Sequence, residues 1–408
     1  MKILYLTQWF EPEPIFKGLG FAKALAAKGH RVEVLTGFPN YPGGRILPGY
    51  RVRLRQREQM QGIPVTRVAL YPSHDASAIR RSANYLSFAA SAATVGACSV
   101  TGPDVVYAYH PPATIALPAM VIGAARGAPF VLDVQDLWPD TLLATGMASR
   151  PWLLKAAGAF CDLAYCRAKR ISVISNGFKR ALVARGVPED KIEVIYNWGR
   201  EETSAPGGPD APILREAAIE GRFSVVFAGT MGRAQALSSV LEAAALVARR
   251  APQVRFVFVG GGIEAAELQA RAAEMALPNA AFLPLRPAAE VAPLLAAANV
   301  LLVHLRDDPL FSITIPSKTQ AYMQAGRPVL MAVRGDAADL VREAGAGVCV
   351  PPEDPEALAA AVCDLAAAPP EALDAMGARG RAYYQAHLSF AAGVARVDEL
   401  LRRVAAGG

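Results

Sequence analysis

Short apolar runs that end in glycine, polar or aromatic residues recur along this chain and alternate with helix-type patterns. The first example joins an apolar run at residues 3–7, a helix pattern with Leu19, Ala22 and Leu25 on one face, and a second apolar run at residues 32–36. A strand, a helix and a second strand in this order form a βαβ unit, and such units build parallel sheets. The alternation therefore predicts an α/β fold.

The alternation occurs in two series, which a segment of different composition separates. Residues 200–222 are rich in Glu, Pro, Gly, Asp and Ala, as is typical of a linker or a mobile loop. A length of 408 residues also favours two or three domains. We predict a Rossmann-like domain over residues 1–199, a linker over 200–222, a second Rossmann-like domain over 223–385 and a C-terminal helix over 386–408.

Composition indicates a globular protein in a reducing compartment. Hydrophobic residues make up 53% of the chain and charged residues 19%, which is enough apolar material for large cores. Five cysteines are scattered without a CxxC pair, and Met1 leads directly into a strand pattern with no secretory leader. Both observations favour the cytoplasm.

The positive charge is concentrated in the first half. Up to Trp198 there are 23 Lys and Arg against 13 Asp and Glu, whereas the remainder has 19 against 23. A basic half suits an anionic surface or substrate, with nucleic acid and an anionic membrane as candidates. Residues 84–100 are free of charge and follow Arg80 and Arg81, but they are too weakly apolar to predict a membrane span. A helix lying on or dipping into the membrane and a buried core helix remain equal alternatives.

Residues 314–330 have the features of a phosphate-binding helix start. Pro316 suits the first helical turn, and we expect Ser317 to accept a backbone N–H there. Lys318 adds a cation where the helix dipole is already positive, which is unfavourable unless an anion binds. Gly326 then ends the helix before an apolar run. An ordinary capped helix with a solvated lysine is the alternative.

A second candidate anion site lies earlier in the same half. Gly229 to Gly232 form a glycine turn at a strand-to-helix junction, and Arg233 follows with a guanidinium suited to a diphosphate. Together with Lys318, these groups could neutralise a leaving diphosphate without a metal ion. A solvated helix-start arginine is the alternative for Arg233.

His110 follows a strand pattern and precedes two prolines, a position that favours a site role. The other four histidines are interpreted as structural or exposed. Asp133, Asp136 and Asp140 divide between a strand end and the turn beyond it, without His or Cys, so we expect no metal site. The first loop lacks GxGxxG, which argues against a standard dinucleotide site.

Seven motifs in order resemble those of bacterial family-4 retaining glycosyltransferases with the GT-B fold, and most closely the fucosaminyltransferase-like enzymes of O-antigen and capsule assembly. They are QWFEPE at 8–13, GFPNYPGG at 37–44, YHPP at 109–112, QDLWPD at 135–140, YNW at 196–198, FVGGG at 258–262 and IPSK at 315–318. The resemblance implies two Rossmann-like domains facing across a cleft, with the C-terminal helix able to pack back on the first. It also implies a nucleotide-sugar donor in the second domain and an acceptor on the first.

The resemblance assigns roles to matching positions of this chain. His110 falls beside the transferred sugar. The donor diphosphate falls near Lys17, Gly18, Gly232, Arg233, Ser317 and Lys318. The donor base and ribose fall near Leu285, Arg286, Thr314, Ile315 and Gln320. The acceptor side comprises Glu13, Asn40, Tyr41, Asp136 and Trp138.

One departure from the family concerns the ribose. The family usually carries two glutamates eight residues apart around the phosphate-binding helix, and this chain has Ile313 and Ala321 there. Neither side chain accepts a hydrogen bond. Gln320 could substitute, although a helix turns it about 100° away. Backbone groups around Thr314 and Ile315 are the other candidates.

The implied activity is retaining transfer of a sugar from a UDP-sugar, an N-acetyl amino sugar in the first instance, to a lipid-linked saccharide or polyprenyl-phosphate acceptor. No cofactor, metal or nucleic acid is expected, and the protein should lie on the inner face of the cell membrane. A non-hydrolysing UDP-sugar epimerase would need acid and base residues beyond His110. A two-domain binding protein would normally carry a secretion signal.

Overall fold

The computed structural model describes residues 1–74, 77–144, 150–199 and 211–407, which form two compact α/β units. The first unit comprises Met1–Ile174, Phe178–Ile195 and Val394–Gly408. The second comprises Ser175–Gly177 and Tyr196–Gly393. Of the predicted linker, residues 200–210 lie outside the described residues, and the remainder contains a short helix.

The described part of the first unit has an eight-stranded sheet with the order β3-β4-β2-β1-β5-β6-β7-β8. All neighbouring strands are parallel except the β3–β4 hairpin. The strands are β1 (Lys2–Thr7), β2 (Arg31–Gly37), β3 (Arg55–Met60), β4 (Ile63–Val68), β5 (Val105–Tyr109), β6 (Phe130–Val134), β7 (Arg170–Val173) and β8 (Ile192–Val194). The central strands β5 and β6 are buried along their whole length, as strands covered on both faces must be.

Strand β3 is the exception to the apolar pattern. Its sequence is RQREQM and its side chains alternate between exposed and half-buried. It lies at the edge of the sheet, where charged side chains discourage pairing with another chain. The turn to β4 uses Gln61 and Gly62, with φ of 48° and 87°, which suits the tight turn of a hairpin.

The helices of the first unit lie between its strands in the chain, and the first two residues of the last one belong to the second unit. They are α1 (Leu19–Ala27), α2 (Ala78–Ser91), α3 (Ala97–Ser99), α4 (Ala116–Arg126), α5 (Asp140–Ala144), α6 (Pro151–Arg167) and α7 (Asn176–Ala184).

The uncharged segment 84–100 is built from α2, a π-helical turn over Ala92–Gly96, and α3. Its inner side packs into the core through Tyr85, Phe88 and Ala89, while Leu86 is exposed. None of the helices formed by the described residues has both the length and the apolarity needed to cross a bilayer.

The second unit has a wholly parallel sheet with the order β11-β10-β9-β12-β13-β14. Alternate residues of β9 point to opposite faces, so that Val225 and Phe227 enter one core cluster and Val226 enters the other. The strands are β9 (Phe223–Ala228), β10 (Val254–Val259), β11 (Ala280–Leu283), β12 (Val300–His304), β13 (Val329–Ala332) and β14 (Gly347–Cys349).

The remaining helices belong to the second unit except for the end of the last one. They are α8 (Pro212–Ala217), α9 (Leu237–Arg250), α10 (Ala265–Glu274), α11 (Ala288–Ala297), α12 (Pro309–Ser312), α13 (Ser317–Ala325), α14 (Asp336–Ala344), α15 (Pro355–Ala367), α16 (Pro370–Tyr383) and α17 (Phe390–Ala405).

Helix α17 packs back on the first unit, as predicted. The Ser389 hydroxyl caps it by accepting from the N–H of Ala392 at 3.2 Å. From Val394 onward its residues belong to the first unit. There the Asp398 carboxylate lies 2.6 Å from the buried His30 ring and 2.9 Å from Arg402 Nε.

Candidate active site

The second unit contains a cavity of about 490 Å³ at the carboxyl ends of β9, β10 and β12, with α13 along one side. Open parallel sheets bind ligands at this edge. Residues that line it include Gly229, Gln235, Gly260, Leu285, Arg286, His304, Ser317, Lys318 and Ala321. The cavity therefore brings together four of the eleven residues predicted from sequence to bind the donor, namely Leu285, Arg286, Ser317 and Lys318.

Two glycine loops form the floor of this cavity and touch backbone to backbone. Gly229 has φ of 137° and Gly260 has φ of 146°, conformations that side chains rarely adopt. A Cβ on Gly260 would lie 1.9 Å from the carbonyl oxygen of Gly229. The Gly229 N–H also donates to Val259 O at 2.8 Å. Glycine is therefore required here to let the two loops meet.

Gly260→Ala is expected to destabilise the second unit, by about 1–3 kcal/mol from backbone strain alone and more from the clash with Gly229. Gly261→Ala is the matched control, because its Cβ would meet only Leu285 Cβ, at an ordinary 3.6 Å. Urea unfolding of both variants checks the difference. Equal stability of the two would show that the loops separate easily.

Helix α13 begins differently from the sequence prediction. Pro316 is the N-cap, Ser317 is the first helical residue, and the Ser317 side chain makes no capping hydrogen bond. Gln320 is buried with its side-chain amide 2.8 Å from the Pro316 carbonyl oxygen. The Ser317 hydroxyl is left exposed at the cavity wall, where a ligand can reach it.

Lys318 carries a partly buried positive charge at the positive end of α13. Its Nζ lies 4.0 Å from the centre of the Phe227 ring, and a Cβ on Gly229 would lie 2.5 Å from its Cε. Burial lowers the pKa of Lys318 to about 8, and no carboxylate of the described residues offsets that shift. A buried cation without a protein counter-ion is suited to an anionic ligand.

The predicted base and ribose residues divide into two groups. Leu285 and Arg286 line the cavity, and Arg286 is held by Glu216 at 2.5 Å. Thr314, Ile315 and Gln320 do not line it. The Thr314 hydroxyl donates to Phe311 O at 3.2 Å, and Ile315 packs against the core. Ala321 does face the cavity, one helical turn beyond Lys318.

Gly232 and Arg233 lie just outside the cavity lining. Gly232 precedes a three-residue 3₁₀ turn over Arg233–Gln235, and α9 begins only at Leu237. The Gly232 N–H donates to Gln235 Oε1 at 3.1 Å, so that amide is already satisfied within the protein. Arg233 is exposed. The second cationic helix start expected from sequence is therefore a short turn with a solvated arginine.

His304 holds the turn at Arg233–Gln235 in place through hydrogen bonds that the sequence did not reveal. It ends β12, is buried, and its Nδ1 lies 2.7 Å from Gln235 O. The N–H of Glu353 donates to its Nε2 at 3.2 Å. Burial lowers the pKa of His304, which keeps the ring neutral so that one nitrogen can donate while the other accepts.

In the first unit, His110 lies in the loop that follows β5. Its backbone N–H donates to Asp133 O at 3.0 Å, and its ring meets Trp138 edge to face at 6.1 Å. Its Nδ1 has no hydrogen-bond partner among the described residues. Burial lowers the pKa of His110 to about 3, so at neutral pH the imidazole is uncharged. It can exchange hydrogen bonds with a hydroxyl but carries no charge.

Lys17 and Gly18 are placed differently from the phosphate role that the resemblance implies. The Lys17 ammonium is fully buried, pairs with the Asp133 carboxylate, and lies 3.1 Å from the Tyr107 hydroxyl. Gly18 lies against the Glu11 carboxylate, which accepts from the N–H of Leu19 at 2.6 Å. The anion at the start of α1 is thus Glu11, and Lys17 would reach a phosphate only by leaving Asp133.

Glu13 joins two loops of the first unit. Its carboxylate accepts the backbone N–H groups of Phe10, Asn40 and Tyr41 at 2.9, 2.7 and 2.8 Å. Burial raises the pKa of Glu13 to about 7, against the opposing effect of these hydrogen bonds. The Asn40 carboxamide is also buried and accepts from Asn84 at 3.2 Å. Both residues therefore position the loops instead of facing solvent.

Aromatic rings connect these loops. The Tyr41 ring lies 5.2 Å from Trp9, Trp9 lies 6.1 Å from Tyr85, and Tyr85 lies 6.3 Å from Trp138, which reaches His110. Near them, burial raises the pKa of the Asp136 carboxyl. Of these rings, sequence reasoning missed Trp9 and Tyr85, because contacts between distant segments leave no periodic signal. Such amphipathic rings suit a partly apolar ligand.

Among the described residues, no group of three or more His, Cys, Asp or Glu side chains could hold a metal ion. Two of the three aspartates considered from sequence are engaged by cations of the protein. Asp133 pairs with Lys17, and Asp140 pairs with Arg185.

Comparison with known proteins places these features in a family. Residues 19–198 match the glycosyl transferase 4-like domain, and residues 222–368 match the glycosyl transferases group 1 domain. The chain is 28% identical over 377 residues to the Escherichia coli K12 protein named "Putative colanic acid biosynthesis glycosyl transferase WcaI", covering 89% of this chain and 91% of that protein.

Solved structures share the two-domain fold. Anabaena Alr3699/HepE in complex with UDP-glucose superposes with a TM-score of 0.64 at 16% identity, covering 100% of both chains. The trehalose 6-phosphate synthase of Burkholderia multivorans gives 0.71 at 13% identity, covering 100% of this chain and 97% of that one. The shared architecture is the GT-B fold of two Rossmann-like α/β domains, in agreement with the prediction.

Proposed function

The chain is a family-4 glycosyltransferase with the GT-B fold, and we propose that it transfers a sugar, with retention, from a UDP-sugar to a lipid-linked saccharide or polyprenyl-phosphate acceptor. An N-acetyl amino sugar is the first donor to test. The acceptor would be reached at the cytoplasmic face of the cell membrane during cell-surface polysaccharide synthesis. The observation that carries the proposal is the partly buried Lys318 at the glycine-floored cavity.

The cavity supports a diphosphate ligand. The positive charge of Lys318 is partly buried, and an anionic ligand would compensate the cost of burying it. The first backbone N–H groups of α13 and the positive end of its dipole also favour an anion at this helix start. The exposed Ser317 hydroxyl is available as a further donor, while Leu285 and Arg286 at the other side of the cavity suit a nucleobase. Arg233 is placed to attract the anion from solvent.

The neighbours support the class of donor and pathway. The Anabaena structure holds UDP-glucose, and the Escherichia coli relative is named for colanic acid biosynthesis. These two proteins are 16% and 28% identical to this chain, and the UDP-sugar donor and the polysaccharide pathway are proposed for it from them. The aromatic rings around His110 favour an acceptor with both apolar and hydroxyl groups.

The chemistry would proceed on one face of the sugar. The bond from the anomeric carbon to the diphosphate oxygen breaks, the acceptor oxygen bonds to that carbon from the same side, and the acceptor proton passes to the leaving phosphate. Lys318 stabilises the charge that develops on the diphosphate. The neutral His110 ring orients the transferred sugar through a hydroxyl group, without taking part as an acid.

The proposal is tested by measuring UDP release from a panel of UDP-sugars, with and without a polyprenyl-linked saccharide. Acceptor-dependent release is expected for at least one donor. Conversion of a UDP-sugar to its epimer without release would indicate the epimerase, and binding without turnover would indicate a binding protein. Either result would overturn the transferase assignment.

His110→Ala is expected to lower kcat by about 10²–10³-fold, the usual effect of losing a positioned hydrogen bond in a transition state. UDP affinity should stay within a factor of about two, because His110 contributes nothing to the cavity of the second unit. Since its pKa is about 3, wild-type kcat should show no titration of this group between pH 6 and 8. An unchanged kcat in the variant would remove His110 from the mechanism.

A further inference from the structure

Helix α6 (Pro151–Arg167) exposes an apolar stripe along its outer side. Trp152, Ala156, Ala159 and Leu163 follow one another at spacings of four, three and four residues, and all are exposed. Trp152 is 63% exposed and Leu163 is 45% exposed. This is the period of one helix face, while the opposite face is buried in the core.

Helices α2 and α4 each expose a similar stripe. On α2, Ile79 and Leu86 lie two turns apart and are 83% and 59% exposed. On α4, Leu117 and Val121 lie one turn apart and are partly exposed. Each helix buries residues of its other side in the core, so these exposed residues are not part of the core.

The three stripes are on neighbouring helices, because α4 contacts both α2 and α6. Proteins in water rarely expose large apolar patches unless these bind something. We call the three stripes together the apolar face, defined by Ile79, Leu86, Leu117, Val121, Trp152 and Leu163.

Charge decides which partner fits the apolar face. The three helices together carry five cations and one anion, Asp162. The cations are Arg80, Arg81, Arg126, Lys155 and Arg167. A second copy of the chain would bring the same positive charge and be repelled, whereas an anionic bilayer offers apolar tails beneath negative headgroups.

From these observations we infer that the apolar face docks onto anionic phospholipid bilayers, with Trp152 and Leu86 entering the interfacial region and the neighbouring cations meeting the headgroups. Tryptophan is favoured at that depth because its ring is apolar and its N–H is polar. The binding is peripheral, because none of the helices in the described ranges is able to span a bilayer.

Helix α2 contributes both to the apolar face and to the aromatic rings of the candidate site. Tyr85 lies on α2 beside Leu86 and contacts Trp138, which contacts His110. An acceptor whose lipid part stays in the bilayer could therefore present its head group near these rings. This last step depends on the proposed function, whereas binding of the bilayer does not.

The test uses the full-length protein and vesicles of phosphatidylcholine alone or mixed equally with phosphatidylglycerol. Wild-type protein should co-sediment with the anionic vesicles and much less with the neutral ones, and high salt should weaken binding. Leu86→Ser combined with Trp152→Ser should reduce partitioning by at least about tenfold. Tryptophan fluorescence of the wild type should shift to the blue on vesicle binding, and this shift should be absent in a Trp152→Phe variant, which keeps the other three tryptophans.

Leu54→Ser is the matched control, because Leu54 is a 70% exposed leucine of the same unit outside the apolar face. It should bind vesicles like wild type, and all variants should unfold at the wild-type temperature. Equal vesicle binding by wild type and the double variant would overturn the inference. So would a wild-type dimer that the double variant dissociates without any vesicle binding. UDP release with a water-soluble acceptor reports on the proposed function separately.

Discussion

Replacing Lys318 by methionine is expected to weaken UDP binding by about 10²-fold, the equivalent of the ~3 kcal/mol that a hydrogen bond to a charged group contributes. Methionine keeps the packing against Phe227 while removing the ammonium. Because no carboxylate of the described residues pairs with Lys318, its removal leaves no buried anion behind, and the fold should be preserved. Isothermal titration with UDP measures the affinity, and circular dichroism checks the fold.

The same lysine predicts a pH dependence. Its pKa of about 8 means that the ammonium is present below pH 8 and is lost as the pH rises further. A bound diphosphate favours the charged form, so UDP affinity should fall above pH 8 in the wild type and stay flat there in Lys318→Met. Arg233→Met should weaken binding less, because Arg233 is solvated. Unchanged affinity in both variants would place the diphosphate elsewhere.

Replacing Lys17 by methionine is expected to destabilise the first unit by about 3–5 kcal/mol, since it leaves the Asp133 carboxylate buried without its cation. Tyr107 and Ser172 still donate to Asp133 at 2.6 and 3.0 Å, but hydroxyl groups do not neutralise it. Urea unfolding measures the loss. Adding Asp133→Asn should recover a large part of it, because the buried charge is then removed as well.

Lys23→Met is the control, because Lys23 is exposed on α1 and bonds only Gln61, at 2.7 Å, among the described residues. It should change stability by no more than about 0.5 kcal/mol. If Lys17→Met proved as stable as wild type but bound UDP poorly, Lys17 would act on the donor phosphates as the family resemblance implies.

The fold was largely predictable because periodicity is local. Buried strands such as β5 and β13 are continuous apolar runs. Helices α13 and α17 are bounded by Gly326 and Ser389, whose conformations and hydrogen bonds depend on a few neighbours. Strand β3 was not predicted, because its position at the sheet edge allows it to be entirely polar except for Met60. Its strand structure comes from antiparallel pairing with β4 instead of from an apolar sequence pattern.

The site was predictable only where a single segment builds it. Lys318 could be located from the helix start around it, since dipole and charge are adjacent in sequence. The ion pair of Lys17 could not be predicted, because its partner Asp133 is 116 residues away and no spacing rule reveals that pair. The expected capping hydrogen bond of Ser317 is missing for a local reason, because Pro316 is the N-cap and Ser317 is already the first helical residue.

Helix α17 makes the first unit discontinuous in sequence, with residues 394–408 separated from the rest by the whole second unit. A ribosome therefore releases the last piece of the first unit only after the second has been synthesised. Domains usually fold in the order of synthesis, but here Asp398, the partner of His30, is synthesised only after residues 196–393 of the second unit. A chain that stops before residue 394 therefore lacks the part of α17 that belongs to the first unit, including the Asp398 partner of His30.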